Sequence, residues 1–291
     1  MTFDCSFGPG RRLAARIRGV LLAAGVFAAH VLMAGSVLPD PVTATVAPEF
    51  RSAYQARGLV IEDRPVAIVP VFLMAKTPDF GSFGVWTRWL SSLSDRKETM
   101  KSQFNYERDW ALRWRYDWKL TDDLTLRTDF DKVWMTFWGY RAPYRGTRDH
   151  TLNEWRLRQE LRNPVVTPYY YLRRSIEPAD TLYVQTGAFR TFALTESLSL
   201  KPQAYVELGN ARLMHLRYGA RTDGRDWRDG IQTVNGRLDL AWRVSEPLTL
   251  TAGIHEFITV NEPARHCVKA KTSAWSRRDL TIWSLGARFV F

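Results

Sequence analysis

The stretch Phe104–Leu120 alternates between two kinds of residue. Its even positions are Phe104, Tyr106, Arg108, Trp110, Leu112, Trp114, Tyr116, Trp118 and Leu120. Its odd positions are Asn105, Glu107, Asp109, Ala111, Arg113, Arg115, Asp117 and Lys119. One face is aromatic and apolar, with Arg108 as its exception, and the other is charged. A period of two sustained this far is strand behaviour. Strands of soluble proteins usually run to about five or six residues. A much longer strand with a greasy face and a charged face suits a wall between lipid and water.

The next segment sets the register. Leu124, Leu126, Thr128 and Phe130 alternate with Thr125, Arg127, Asp129 and Asp131. With Thr121-Asp122-Asp123 as a three-residue turn, Leu120 faces Leu124. Asp117 then faces Arg127, Arg115 faces Asp129 and Arg113 faces Asp131, while Trp114 meets Phe130 on the other face. Cross-strand pairs of this kind are worth roughly 0.2–1 kcal/mol each. A slip of one residue would turn every charge toward lipid, so the register is strongly specified and the charges are expected to face inward.

The same pattern predicts strands at about Glu49–Val60, Pro65–Ala75, Gly81–Leu90, Phe104–Leu120, Leu124–Trp138, Thr151–Arg162, Val165–Arg174, Thr181–Leu194, Leu198–Arg212, Ile231–Val244, Leu248–Val260 and Leu280–Phe291. No stretch after residue 37 carries a convincing helical period. The expected fold is all-β, a single antiparallel up-and-down transmembrane barrel of about 12 strands, an even number as in bacterial single-chain barrels. A turn plan recurs in Leu120-Thr-Asp-Asp-Leu124, Leu194-Thr-Glu-Ser-Leu198 and Val244-Ser-Glu-Pro-Leu248. Short polar residues suit tight turns, and the spacing returns the chain to the same face. The other connections, Ser91–Gln103, Gly139–His150, Met214–Gly230 and Asn261–Asp279, are longer. Short turns opposite long loops match periplasmic turns and extracellular loops. Both termini are then expected on the periplasmic side.

Residues 1–36 read as a signal peptide to be removed. Arg11, Arg12, Arg16 and Arg18 precede the apolar run Val20–Ala34, and Ala34-Gly35-Ser36 offers small residues before a cut. Thr45-Val46-Ala47 is a second candidate cut. The run is shorter than the roughly 20 residues of a spanning helix. Residues 37–48 read as a short N-terminal extension and 49–291 as the barrel. Cys5 departs with the signal, which leaves Cys267 without an intrachain partner.

Mean hydropathy of −0.28 excludes a polytopic helical membrane protein but not a barrel, whose strands are only half apolar. The 12 Trp and 11 Tyr are many, and such residues favour membrane–water interfaces. The formal charge of +11 could mean nucleic acid. No helix carries a basic stripe, however, and no nucleic-acid motif is present. Lipopolysaccharide phosphates or anionic solutes fit the excess better.

The last strand, Leu280-Thr-Ile-Trp-Ser-Leu-Gly-Ala-Arg-Phe-Val-Phe291, resembles the carboxy-terminal signal read by the outer-membrane assembly machinery. With the signal peptide and alternating strands, the chain resembles a Gram-negative outer-membrane β-barrel. More narrowly, Ser52-Ala-Tyr-Gln-Ala-Arg-Gly58 and Phe83-Gly-Val-Trp86 make residues 49–291 resemble the functionally uncharacterised porins of the TorF (Gcw_chp) type. That resemblance implies no catalytic or ligand residues.

No catalytic constellation, cofactor motif or metal site stands out. His255 shares parity with Thr249, Thr251 and Thr259 and should point into the lumen. His150, His215 and His266 fall in or beside the long loops. Asp223-Gly-Arg-Asp226-Trp-Arg-Asp229-Gly230 has hard oxygen ligands, but its acids are not spaced as in an EF-hand loop, and Arg221, Arg225 and Arg228 would neutralise them. The expected lumen charges are Glu107, Asp109, Arg113, Arg115, Asp117, Arg127, Asp129, Asp131, Glu154, Arg156, Arg158, Glu160, Lys201, Glu207, Arg237, Asp239 and Arg243. They are read as lining a narrow channel for small hydrophilic solutes. The alternative is a plugged structural or adhesion barrel that presents basic loops to lipopolysaccharide or an external partner. A lipid-modifying enzyme would need an outward Ser-His pair. Twelve strands lie between filled eight-stranded barrels and open sixteen-stranded porins, so strand number does not decide.

Overall fold

The computed structural model describes residues 41–56, 59–62, 65–93, 106–138, 149–177, 180–218, 221, 223–269 and 279–291. The proposed signal peptide lies outside them, as does most of the expected loops 91–103 and 139–150. Strand β1 (Val42–Val46) and β2 (Glu49–Arg51) together form one split stave, followed by a small hairpin of β3 (Tyr54–Ala56) and β4 (Leu59–Glu62). The remaining wall is β5 (Val66–Thr77), β6 (Gly81–Ser92), β7 (Tyr106–Lys119), β8 (Thr125–Trp138), β9 (Asp149–Arg162), β10 (Thr167–Glu177), β11 (Thr181–Phe189), β13 (Leu198–Gly209), β14 (Gly230–Arg243), β15 (Leu248–Thr259) and β16 (Asp279–Val290), with β12 (Phe192–Ala193) a short addition to β13. These twelve staves pair antiparallel with their neighbours in chain order and close into a barrel.

The split stave makes the closure. β1 pairs with β5 from Val42↔Ala75 to Val46↔Val71 and with β16 at Thr45↔Val290. β2 pairs with β5 at Glu49↔Ile68 and with β16 at Arg51↔Ser284. Pro48 interrupts the stave because it has no N–H to give a ladder. Its carbonyl still accepts from the Ala287 N–H at 3.0 Å, and the Ala47 N–H donates to the Pro70 carbonyl at 3.0 Å. The wall therefore starts at Val42, and the expected strand Glu49–Val60 is corrected to Val42–Arg51. Five residues ended by a proline look too short for a wall on their own, and only pairing on both edges makes them one.

The three turns of the recurring plan close alike. The N–H groups of Leu120 and Thr121 both donate to the Leu124 carbonyl, at 2.9 and 3.1 Å. Leu194 and Thr195 do the same to Leu198, and Val244 and Ser245 to Leu248. These turns, the β5–β6 and β9–β10 connections, Val42 and Phe291 all lie at one end of the barrel. At the β5–β6 turn Gly81 takes a φ of 80°, a left-handed conformation that suits glycine. The opposite end carries the longer connections, including helices α1 (Ala211–Tyr218) and α2 (Glu262–Lys269). Neither helix was legible as a period. Each is only two turns, too short to be stable alone, and is held by tertiary contact. Leu213, Met214, Ala264 and Cys267 are buried. Asn210 Oδ1 accepts from the Leu213 N–H at 3.0 Å and Asn261 Oδ1 from the Ala264 N–H at 3.1 Å, so an asparagine caps each helix. The cap at Asn210 also ends β13 three residues before the expected Arg212.

Outside, the barrel shows an apolar belt. Trp110, Leu112, Trp118, Phe130, Leu238, Leu250 and Leu285 are all exposed there. We expect the mature chain to begin at Val37. A chain cut after Ala47 would lack β1 and leave the β5 and β16 edges half unpaired. Heat-modifiable gel mobility of the two forms tests this: the longer form should run as a folded barrel and the shorter should lose that band. A folded band from the shorter form would refute the role given to β1.

Candidate functional site: a charged barrel lumen

Odd residues of β7 and β8, even residues of β9 and odd residues of β10 point inward, as the register fixes. The three pairs placed by sequence form across β7 and β8. Arg127 Nε and Nη2 donate to the Asp117 carboxylate, both at 2.6 Å. Arg115 Nε donates to Asp129 Oδ1 at 2.5 Å. Arg113 Nε and Nη2 donate to Asp131 at 2.7 and 2.8 Å, in the bidentate geometry that makes such pairs strong. Trp114 faces Phe130 on the outside. On β9, Arg156 pairs with Glu154 at 2.8 Å, and Arg158 and Arg162 share Glu160 at 2.8 and 2.7 Å. Arg88 of β6 reaches both Glu107 and Asp109, at 2.5 and 2.7 Å. Arg237 pairs with Asp239 at 2.8 Å.

Exposure grades along the bore. At the turn end the Asp117 side chain is 44% exposed and Arg115 33%. Toward the loop end the Glu107 side chain is 3% exposed and Asp109 0%. At that level an apolar cluster of Trp86, Ala111, Val133, Met135 and Leu152 packs on the inward face. Arg113 and Arg156 lie over the Trp86 ring, at 5.8 and 5.5 Å from its centroid. Tyr54, on the hairpin that follows β2, is also buried and sits 6.0 Å from Arg88.

The wall facing the ion-pair ladder has a different chemistry. Tyr169 accepts from Gln185 at 2.8 Å and Gln203 at 2.5 Å. Glu207 is buried and accepts from the Tyr183 hydroxyl and, at 2.6 Å, from Thr233. His255 points inward as expected, with Tyr205 Oη at 2.9 Å and Asn235 Oδ1 at 3.2 Å from its Nε2. Between the two walls lies a cavity of about 340 Å³. Its cations are Arg51, Arg88, Arg158, Arg173, Lys201 and Arg237, against the acids Glu207 and Asp239.

Of the residues placed by sequence, Arg158, Lys201, Glu207, Arg237 and Asp239 border this cavity. Glu107, Asp109, Arg113, Arg115, Asp117, Arg127, Asp129, Asp131, Glu154, Arg156 and Glu160 form the ladder beside and beyond it. Arg243 does not join them. It is exposed at the turn end, where Nη2 donates to the Glu196 carbonyl at 2.9 Å. Sequence reasoning missed Arg51, Tyr54, Arg88 and Arg173. Arg88 shares its face with Trp86 and Leu90, so no charged alternation marked it. Arg173 sits beside Arg174, and only the pairing Arg173↔Arg156 shows which of the two faces in.

His215 and His266 are exposed on α1 and α2. In the acidic loop, Arg221 Nε donates to Asp223 Oδ1 at 2.8 Å, and this bond holds the Asp223 carboxyl down to about 2. Asp229 Oδ1 accepts instead from the Ala211 N–H at 2.7 Å, at the start of α1.

No protein-family model matches the chain, and no curated protein matches it in sequence. The resemblance to the TorF type thus stays one of pattern and short fragments. Solved structures do resemble it. An outer-membrane channel from Pseudomonas putida F1 superposes with a TM-score of 0.51 at 10% identity, over 87% of this chain and 97% of that one. The NanC porin gives 0.48 at 8% identity, over 84% and 98%, and the KdgM porin 0.45 at 7%, over 86% and 99%. At such identities the first likeness speaks for the fold alone.

The grading of exposure predicts unequal costs. Asp131→Asn would leave Arg113 without its carboxylate in a nearly buried setting and should cost roughly 2–3 kcal/mol. Asp117→Asn, in the wet half of the bore, should cost less than about 1 kcal/mol. Equilibrium urea unfolding in lipid vesicles measures both, and equal losses would contradict the graded bore.

Proposed function

We propose that this protein is an outer-membrane barrel with both termini periplasmic, whose bore passes small hydrophilic solutes and favours anions. The observation that carries the reading is the lining of the cavity. Side chains there are charged, hydroxylic or amide rather than apolar. Most of its arginines have an acid at hand: Arg51 has Glu49 at 2.7 Å, and Arg88, Arg158 and Arg237 have the partners given above. Among the described residues, Arg173 and Lys201 form no ion pair at contact distance, although Lys201 stands opposite Asp239 and Arg173 lies within the field of Glu154. Arg173 lies over Tyr171 and Tyr183, and Lys201 lies 4.0 Å from the Phe189 centroid. A passing anion would supply the direct contact that neither has. Arginine, tyrosine and glutamine donors would replace part of its hydration shell, which is how a narrow pore selects.

The second reading is a filled barrel with a structural or adhesive role, its basic loops turned to lipopolysaccharide or a partner. It draws on the loop-end half, where the buried side chains of Tyr54, Asp109 and the Trp86 cluster meet Arg88. The channel reading treats that level as a constriction and the turn-end half as its vestibule. No enzymatic step is proposed. Phe291, whose N–H donates to the Ala44 carbonyl at 2.9 Å, is proposed as part of the segment read during assembly.

Planar bilayers decide between the readings. Small discrete conductance steps are expected, with a reversal potential on the anion-selective side in a salt gradient. Lys201→Glu together with Arg173→Gln should move that potential toward cation selectivity, and Tyr54→Ala should raise the step size. Silent bilayers from protein with a folded, heat-modifiable band would overturn the channel and favour the filled barrel.

A further inference from the structure

The outer wall carries its own charge pattern. Among the described wall residues, the register turns Arg108, Lys132 and Arg174 outward on one side, with the acids Asp149 and Glu177 also at outward register positions there, and Glu256 and Asp279 outward on the other side. The three cations fall on β7, β8 and β10. Lys132 sits in the middle of β8 between Phe130 and Trp134, opposite Leu112 and Trp155, all of them outward and exposed. Its ammonium is 4.5 Å from the Trp155 centroid and 5.6 Å from that of Trp134. Among the described residues no carboxylate is paired with it. Arg174 stands on the far side of Trp155 in the same row. It pairs with Asp180 at 3.1 Å but is more than half exposed. Arg108 lies four residues toward the loop end, over Trp110 at 4.6 Å and Trp89 at 5.9 Å, and its buried Nε has no hydrogen-bond partner.

A lysine without an ion-pair partner in the middle of an outward row of aromatic residues needs an explanation. Lysine is costly at the bilayer midplane and tolerated near an interface. Counted from the turn-end rim at Leu124, eight residues of a strand tilted by about 40° place Lys132 roughly 20 Å up a belt about 25 Å tall. Lys132 and Arg174 thus approach the far edge of the belt, and Arg108 lies beyond it. Indole rings frame all three, as expected of an interfacial girdle. The ammonium and guanidinium groups face the level where lipid headgroups begin.

We propose that this patch is a docking site for a phosphate-bearing lipid of the outer leaflet, its phosphate groups bridging Lys132 and Arg174 and reaching Arg108, with the acyl chains lying along Leu112, Phe130 and Leu157. The opposite charge of the headgroup supplies the counter-charge that Lys132 lacks among the described residues. The indoles strip water from the cations and so strengthen the pairing. The proposal does not depend on whether the bore conducts.

The test uses the whole barrel in nanodiscs of phosphatidylcholine doped with diphosphorylated lipid A or with its dephosphorylated counterpart. Native mass spectrometry counts the glycolipid that stays bound. Wild type should retain the phosphorylated form in clear preference. Lys132→Gln and Arg174→Gln should each lower retention about fivefold, the worth of one basic residue at an anionic surface. Glu256→Gln should change nothing. Equal retention of both lipids by wild type, a comparison that needs no variant to fold, would overturn the site. So would unchanged retention by both folded variants, or full displacement by inorganic phosphate, which would mark a site for the free ion.

Discussion

A sheet in lipid must satisfy its backbone N–H and C=O groups within itself, because nothing around it can. Every other feature of this molecule follows from how that condition is met at the seam. The closing stave is two short strands around Pro48, each paired on both edges. β1 ties the start of the wall to its end: Ala44 and Phe291 exchange hydrogen bonds at 3.0 and 2.9 Å. Closure at twelve staves then sets the width of the bore. What occupies it is a set of long, charged side chains that reach across the wall to their neighbours.

Those charges are not evenly mixed. From β6 to β9 the inward face alternates acids with arginines, and almost every charge finds its opposite within hydrogen-bond distance. From β10 to β14 tyrosines, glutamines and asparagines take over, and the remaining cations outnumber the acids. A ladder of matched pairs stiffens its wall and fixes register, yet contributes little field to the bore. The opposite wall has the unmatched charge and the rotatable donors. A solute between them would meet one neutralised wall and one basic, hydrogen-bonding wall.

Much of this was legible beforehand, and for a physical reason. Period two is a short-range property. Wherever one face is lipid and the other water, the residues record which is which, and β7 with β8 is the clearest record. The turn plan at Leu120, Leu194 and Val244 was equally local. What escaped was set by distant contacts. Val42–Val46 is a wall strand only because β5 and β16 flank it. The helices α1 and α2 form only because Leu213, Met214, Ala264 and Cys267 bury one another's surroundings and an asparagine caps each. Arg88 and Arg173 face inward by register, with neighbours that hid the fact. Arg243 has the right parity but sits too near the rim to line the bore.

The exceptions to the alternation are therefore its most informative positions. A rule that so many residues obey costs free energy when broken, and a break that persists points to something that offsets it. Two breaks stand out. The chain leaves the wall after Arg51 and sends Tyr54 into the bore beside Arg88, where a simple barrel would have run straight on. Arg108 and Lys132 turn positive charge outward from strands whose other outward residues are aromatic, aliphatic or threonine. The first break narrows the bore from within at the level where Asp109 is fully buried. The second charges the rim from without at nearly the same height. Both therefore act on the loop-end half of the barrel, and the turn-end half keeps to the pattern. If solute control and lipid anchoring are separate tasks, this fold has placed them back to back on the two faces of the same few strands.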